Sequence, residues 1–392
     1  MKLEAIRVTR SSQRDKRAER TGSIEAWSPA ALGLEHEDSV DHMVQVKAGE
    51  YDQQLAAILG SASCWSYSDP DTFAKTMHRR AGVPWNETVA LTDRNPALLT
   101  DVTAYLVQSE DRRLCILCFR GTGPLNIINW LSDGSSRVVP FFSAGHIHGG
   151  FFHAAMMLTT TLRTLLQSAR KGGSICEAVA RERAMWSDCL RRDPRGCGDD
   201  RRRAGADVGA ARRVLRPPRG DDPDVLEALY ITGHSLGGAL AIVTAALLFV
   251  EPRLAYFREK LRGVYTYGQP MVGYQDFKDR FERDLGKRLF RHVYRNDVFP
   301  GLPALNMGRF VHFGSLYTAK EGAEWLPSRA STRQERTLLG AIGQAALAGI
   351  QQEFFGNLPV LNLIPLRLSV ADHSPIKYLR VSREGAADIE LV

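Results

Sequence analysis

The chain of 392 residues contains no apolar run long enough to cross a bilayer as a helix. The longest, at 236–250 and 338–350, fall short of the roughly 20 residues a membrane-spanning helix needs. The N-terminal stretch MKLEAIRVTRSSQRDKRAER lacks the apolar segment of a secretory signal, so secretion is not indicated and the cytoplasm is the default expectation. Cysteine is sparse and irregular. Cys64, Cys115, Cys118, Cys176, Cys189 and Cys197 form no disulfide framework, and no histidine stands near them at zinc-site spacing, which predicts free thiols and no metal site. No internal repeat is present. Basic residues are not interleaved with aromatics and no nucleic-acid motif occurs, so no nucleic-acid partner is expected.

What is present is an ordinary globular composition, 44% hydrophobic and 24% charged with a formal net charge of +7. The surplus is unevenly spread. Residues 171–223 hold thirteen Lys or Arg against nine Asp or Glu, which is more than half of it. Low complexity, Pro217-Pro218 and few large apolar residues make this stretch read as a flexible insertion that adds nothing to the core. Residues 1–50 are polar with little periodicity and read as a loosely ordered arm. Residues 51–392, interrupted by the insertion, read as one large domain.

Within that domain helical patterns run near Leu55–Leu59, Phe73–Arg80 and Phe151–Ala169. Strands are expected at Ala104–Gln108, Leu229–Thr232, Gly263–Tyr267 and Leu289–Tyr294. The run Leu114-Cys115-Ile116-Leu117-Cys118-Phe119 is apolar throughout, as a central strand buried on both faces must be. Strands alternating with helices predict an α/β fold with a mostly parallel sheet covered on both sides.

The chemistry is concentrated in Gly233-His234-Ser235-Leu236-Gly237, a G-x-S-x-G pentapeptide between an expected strand and an expected helix. A tight strand-to-helix turn strains the serine backbone and lifts its hydroxyl above the sheet. Glycines two residues either side leave room for neighbouring backbone, and the helix N-terminus favours developing negative charge. A bare pentapeptide of this kind also occurs by chance in turns; the strand before it and the helix after it give it meaning.

The segment Ile231–Ala239 resembles the nucleophile elbow of the class 3 lipases, the fungal-type triacylglycerol lipases of the α/β-hydrolase superfamily. Phe119-Arg120-Gly121-Thr122 resembles that family's oxyanion loop, Asn129–Asp133 its lid-proximal segment and His148-Gly149-Gly150-Phe151 its H-x-G-F element. The resemblance spans about 114–378, leaving out the insertion. It implies an α/β-hydrolase fold and an oxyanion hole made by the backbone N–H of Leu236 and by Thr122, through its N–H with or without its hydroxyl.

A serine hydroxyl is a poor nucleophile near neutral pH, so Ser235 requires a histidine base, and that histidine an acid. Hydrolases of this fold order them serine, acid, histidine. Of the downstream histidines, His292 and His312 lie in or beside apolar strand-like stretches and read as structural. His373 lies in the polar loop Ala371-Asp372-His373-Ser374-Pro375 and resembles the family's Asp-His element. For the acid, Asp297 in Arg295-Asn296-Asp297-Val298-Phe299-Pro300 follows a strand end. A turn aspartate serving local backbone donors is an equal reading of the residues alone; the D-x-x-P resemblance favours the catalytic one. Asp372 is the weaker candidate.

The sequence therefore predicts a carboxylic ester hydrolase acting on lipids through an acyl-enzyme on Ser235, with no cofactor and with transient contact to a lipid interface. A phospholipase A or short-chain esterase would use the same triad. A catalytically silent scaffold of the same fold is a rival of another class. Residues 124–131 are the expected lid and 338–366 a second apolar stretch. The insertion admits three readings: a disordered loop, a lipid-surface contact, or the translation of an Arg-rich frame. Oligomeric state is left open.

Overall fold

The computed structural model describes residues 1–9, 38–95, 100–122, 137–191, 223–303, 309–320, 323–328 and 371–384. Its centre is a nine-stranded sheet. In spatial order the strands are β1 (Lys2–Arg7), β2 (Glu87–Asn95), β3 (Thr100–Gln108), β4 (Leu114–Phe119), β7 (Ala228–His234), β8 (Leu261–Tyr267), β9 (Leu289–Tyr294), β10 (Ser315–Ala319) and β11 (Leu326–Pro327). A two-stranded ribbon, β5 (Val138–Pro140) and β6 (His146–His148), stands apart. From β4 to β10 every neighbour is parallel. Antiparallel pairs close both edges.

The helices are α1 (Asp38–Gln45), α2 (Gln53–Trp65), α3 (Pro70–Arg80), α4 (Gly149–Arg170), α5 (Ile175–Arg191), α6 (Leu236–Val250), α7 (Ala255–Lys260), α8 (Gln275–Phe281) and α9 (Pro375–Glu384). They cover both faces because the central strands are apolar on both. In β4, Cys115, Leu117 and Phe119 join the core beneath α4 and α6, while Leu114, Ile116 and Cys118 join the core beneath α2 and α3. This is the period-2 alternation of a strand with no solvent face. Parallel strands joined by crossovers, sandwiched between helices, with a serine turn at the end of β7, are the α/β-hydrolase arrangement. Local caps set helix starts: Asp52 accepts from the Leu55 N–H at 2.7 Å and Asp69 from the Thr72 N–H at 3.0 Å, each contributing about 1 kcal/mol.

Two expectations need correction. The N-terminal arm is not loose throughout, since β1 pairs with β2 along its whole length and α1 buries Val40, Met43 and Val44. Residues 10–37 lie outside the described residues. Nor does the insertion contribute nothing to the core. Its first part forms α5, which buries Ile175, Ala178 and Val179. These three sit on one helical face, and Glu177 among them, with Arg181-Glu182-Arg183 soon after, hides the pattern. Residues 192–222 lie outside the description, as do the expected lid at 124–131 and the apolar stretch 338–366. Cys64, Cys115, Cys118 and Cys176 are free thiols, as expected. Among the described residues no single helix is long and apolar enough to cross a membrane.

Candidate active site

The parallel strands deliver their loops to one edge of the sheet. β4 ends at Phe119 and runs into Thr122, β7 ends at His234 and runs into Ser235, β8 ends at Tyr267 before Gly268, and β9 ends at Tyr294 before Asp297. This is the carboxyl edge, where open parallel sheets form their sites.

Ser235 occupies φ +59°, ψ −129°, a region normally reserved for glycine and costly by about 1–3 kcal/mol. The surroundings enforce it. The Ser235 N–H donates to the Tyr267 carbonyl at 2.8 Å, and α6 begins at the next residue. Packing around the turn is too close for side chains: a β-carbon at Gly237 would lie 2.2 Å from the Phe119 carbonyl oxygen. The elbow is thus pressed against the end of β4, which brings Leu236 and the Arg120–Thr122 loop to the same edge.

His373 arrives from the far end of the chain, in a short 3-10 turn that precedes α9. The Ser235 hydroxyl donates to His373 Nε2 at 2.7 Å, and His373 Nδ1–H donates to Asp297 Oδ2 at 2.8 Å. All three residues are buried. The structure therefore joins in one relay three residues separated by up to 138 positions. Phe299 stacks on the His373 ring at 3.8 Å between centroids and fixes its plane.

Asp297 is fully committed. Besides His373 it accepts from the Phe299 N–H at 2.9 Å and from the Tyr378 hydroxyl at 2.5 Å. Burial, followed by the Asp297 charge, raises the Tyr378 phenol well above its ordinary value, so it stays protonated and donates. Tyr378 itself accepts from the Tyr294 N–H at 3.1 Å, tying α9 to β9. Sequence reasoning did not single out Tyr378; its spacing after His373 was the available signal for its contact with the acid. Gly268 was missed altogether. It adopts φ +60°, and a β-carbon there would lie 2.8 Å from Asp297 Oδ2 and 3.0 Å from His373 Nδ1.

The other buried histidines nearby are neutral. Burial, reinforced by the neighbouring His373, holds His234 well below the usual histidine range, and its ring lies 4.6 Å from that of His373. No second positive charge therefore opposes an imidazolium at His373. His292 donates from Nδ1 to the Thr266 carbonyl at 3.1 Å, and burial lowers it to about 3. His312 donates from Nε2 to the Pro300 carbonyl at 2.8 Å. Both take structural positions, as expected. Asp372 does not contact His373 as an acid; it accepts from Lys377 Nζ at 3.0 Å and from the Asn296 N–H at 3.4 Å.

Residues 224–307, the segment that carries Ser235 and Asp297, match the family model for lipase (class 3). A triacylglycerol lipase OBL1 of Ricinus communis is 31% identical over 215 residues, covering 53% of this chain and 38% of that protein. A chloroplastic phospholipase A1-Igamma2 of Arabidopsis thaliana is 39% identical over 114 residues, covering 28% and 20%. A solved lipase–propeptide complex of Rhizomucor miehei is 20% identical with a TM-score of 0.43, covering 69% of each chain. The chain spans between 38% and 59% of the length of three curated triacylglycerol lipases that it matches.

Proposed function

This chain is of the class 3 lipase family, and on that footing we propose that it hydrolyses carboxylic esters of lipids, with triacylglycerol as the reference substrate. The observation that carries this reading is the continuous relay from Ser235 Oγ through His373 to Asp297, at 2.7 and 2.8 Å, around a serine held at positive φ.

In this reading His373 Nε2 takes the Ser235 proton as Oγ attacks the ester carbonyl. Asp297, acting as a fixed anion, holds the ring in the Nδ1–H tautomer and stabilises the imidazolium. The Leu236 N–H and Thr122 meet the negative charge that develops on the carbonyl oxygen, a contribution whose loss costs about two to three orders of magnitude in rate per donor. His373 then gives its proton to the departing alcohol. Water, deprotonated by the same histidine, releases the fatty acid and restores Ser235. Metal and cofactor have no part in this sequence of steps. Contact with a lipid interface follows from the substrate class and is transient.

The similarity to a phospholipase A1 favours one second reading, in which the same machinery acts on a phospholipid acyl bond. The deciding experiment measures fatty-acid release from p-nitrophenyl esters of rising chain length, from emulsified triacylglycerol and from phosphatidylcholine vesicles, for wild type and Ser235→Ala. The expected result is turnover that peaks with medium or long chains, favours triacylglycerol and vanishes in the variant. Preference for phosphatidylcholine would install the phospholipase reading. A folded wild type with no turnover, or equal rates in both proteins, would leave a silent scaffold.

A further inference from the structure

A charged cavity lies at the opposite edge of the sheet from Ser235. It encloses about 460 Å³ where β8 and β9 begin and where α6 and α7 end. Arg258, Arg283, Lys287 and Arg288 line it, against two carboxylates, Glu259 and Asp284. We propose that this cavity binds a small, soluble, doubly charged oxyanion of the phosphate class, either inorganic phosphate or a phosphate monoester.

Three observations support it. Among the described residues none of the four cations lining the cavity is in an ion pair, although arginines elsewhere in this protein pair with acids at 2.5–3.3 Å. Arg262 stands close behind, and its Nε is buried without a hydrogen-bond partner. Arg288 is half-buried, with Nη1 donating to the carbonyls of Arg258 and Leu261. Burial first, then the charges of Arg258 and Arg262, push its guanidinium below the ordinary value, which the attraction of Asp284 only partly offsets. Like charges held together with too few carboxylates to balance them are a cost that a bound anion removes.

The balance of charge selects the ligand. Four cations against two carboxylates leave a surplus of two, matched by one phosphate dianion. The acids would repel an extended polyanion such as nucleic acid. Guanidinium forks suit the trigonal face of a phosphate, with Lys287 as a point charge. Position argues against a lipid headgroup, because a membrane bound at this edge would lie on the far side of the sheet from the Ser235 relay. The site is thus independent of the ester-hydrolase reading and suits an effector rather than a substrate.

The test titrates inorganic phosphate into the full chain, with chloride matched for ionic strength, and follows phosphorus-31 line broadening and the rise in Tm. Wild type should show saturable binding. Arg283→Ala combined with Lys287→Ala should weaken it roughly tenfold, the scale expected on losing two charge-assisted contacts at an exposed rim. Both side chains are exposed, so Tm in chloride should not move; Arg283→Gln alone serves as a milder variant. Lys75→Ala, on α3, should bind as wild type. Equal affinity in the double variant, or a response that never saturates, overturns the proposal. A second arm sediments the Ser235→Ala protein with phosphatidylcholine vesicles containing phosphatidic acid. Pelleting that does not change when Arg283 and Lys287 are replaced is expected. Loss of pelleting in that variant, without saturable binding of free phosphate, would assign the cavity to a lipid headgroup and overturn the soluble ligand.

Discussion

Replacing Gly268 by alanine tests whether the relay is limited by geometry. The added methyl would meet Asp297 Oδ2 at 2.8 Å and His373 Nδ1 at 3.0 Å, against ordinary carbon contacts of about 3.5 Å or more. The hydrogen bond between those two atoms, now 2.8 Å, has to open or move sideways by something near half an ångström. A misplacement of about 1 Å in catalytic geometry costs on the order of 100-fold in rate, so a fall in kcat of roughly 10- to 100-fold is expected. KM should hold, since the methyl lies behind the histidine, away from the edge where Thr122 and Leu236 stand. The φ of +60° adds a stability cost of about 1–2 kcal/mol. Steady-state kinetics on a p-nitrophenyl ester, with thermal unfolding of the same samples, reads both effects. Unchanged kcat in a folded Gly268→Ala protein would refute the claim that the spacing of Asp297 and His373 governs turnover.

Two further outcomes follow from neighbouring contacts. Tyr378→Phe removes the 2.5 Å hydrogen bond to Asp297 and a partner of the Tyr294 N–H, at a cost of about 1.5–3 kcal/mol in stability. kcat should drop several-fold with little change in KM, and a variant with wild-type kcat would remove Tyr378 from the positioning of the acid. Buried Glu87 contacts Arg7 at 2.7 Å and Arg112 at 2.9 Å and accepts from Ser174 at 2.6 Å. Burial alone would raise its pKa, but hydrogen bonds from Arg112 and Ser174 outweigh it and hold the carboxyl below the ordinary range. Its stabilising contribution is therefore present above the unfolded carboxylate pKa and is lost as pH falls through the lower folded value. Glu87→Gln should flatten that acid-side loss in a Tm-against-pH series and cost on the order of 3 kcal/mol at neutral pH. An unaltered acid limb would show that another group carries it.

How much of this was legible beforehand depended on where local pattern and tertiary environment agree. β4 was readable to the residue because burial on both faces leaves six consecutive apolar side chains. The elbow was readable because its strain demands small neighbours at set positions. β2, with the sequence ETVALTDRN, was not anticipated: an antiparallel strand near a sheet edge tolerates polar residues, and its buried Glu87 is neutralised by arginines distant in sequence. The same mixed composition hid β1 and α5. Asp297 could be chosen only by its place after β9 and by resemblance, since the contact that distinguishes it from Asp372 comes from His373, 76 residues away. Gly268 and Tyr378 act on atoms that only the folded chain brings near them.

The abutment of Gly237 on the end of β4 has a consequence for how the centre is assembled. Thr122 lies before residues 192–222 and Ser235, Asp297 and His373 all lie after them, so the proposed oxyanion loop and the relay belong to different halves of the polypeptide. On the proposed activity, a cut within 192–222 would leave each half inert, and the two would meet across the parallel seam of β4 and β7, paired from Leu114 with Ala228 to Phe119 with Gly233, together with the packing of α2 on α9 and of α4 on α6. Ester turnover by two co-expressed fragments would then report their assembly across that seam, making the protein a complementation reporter of its own two halves.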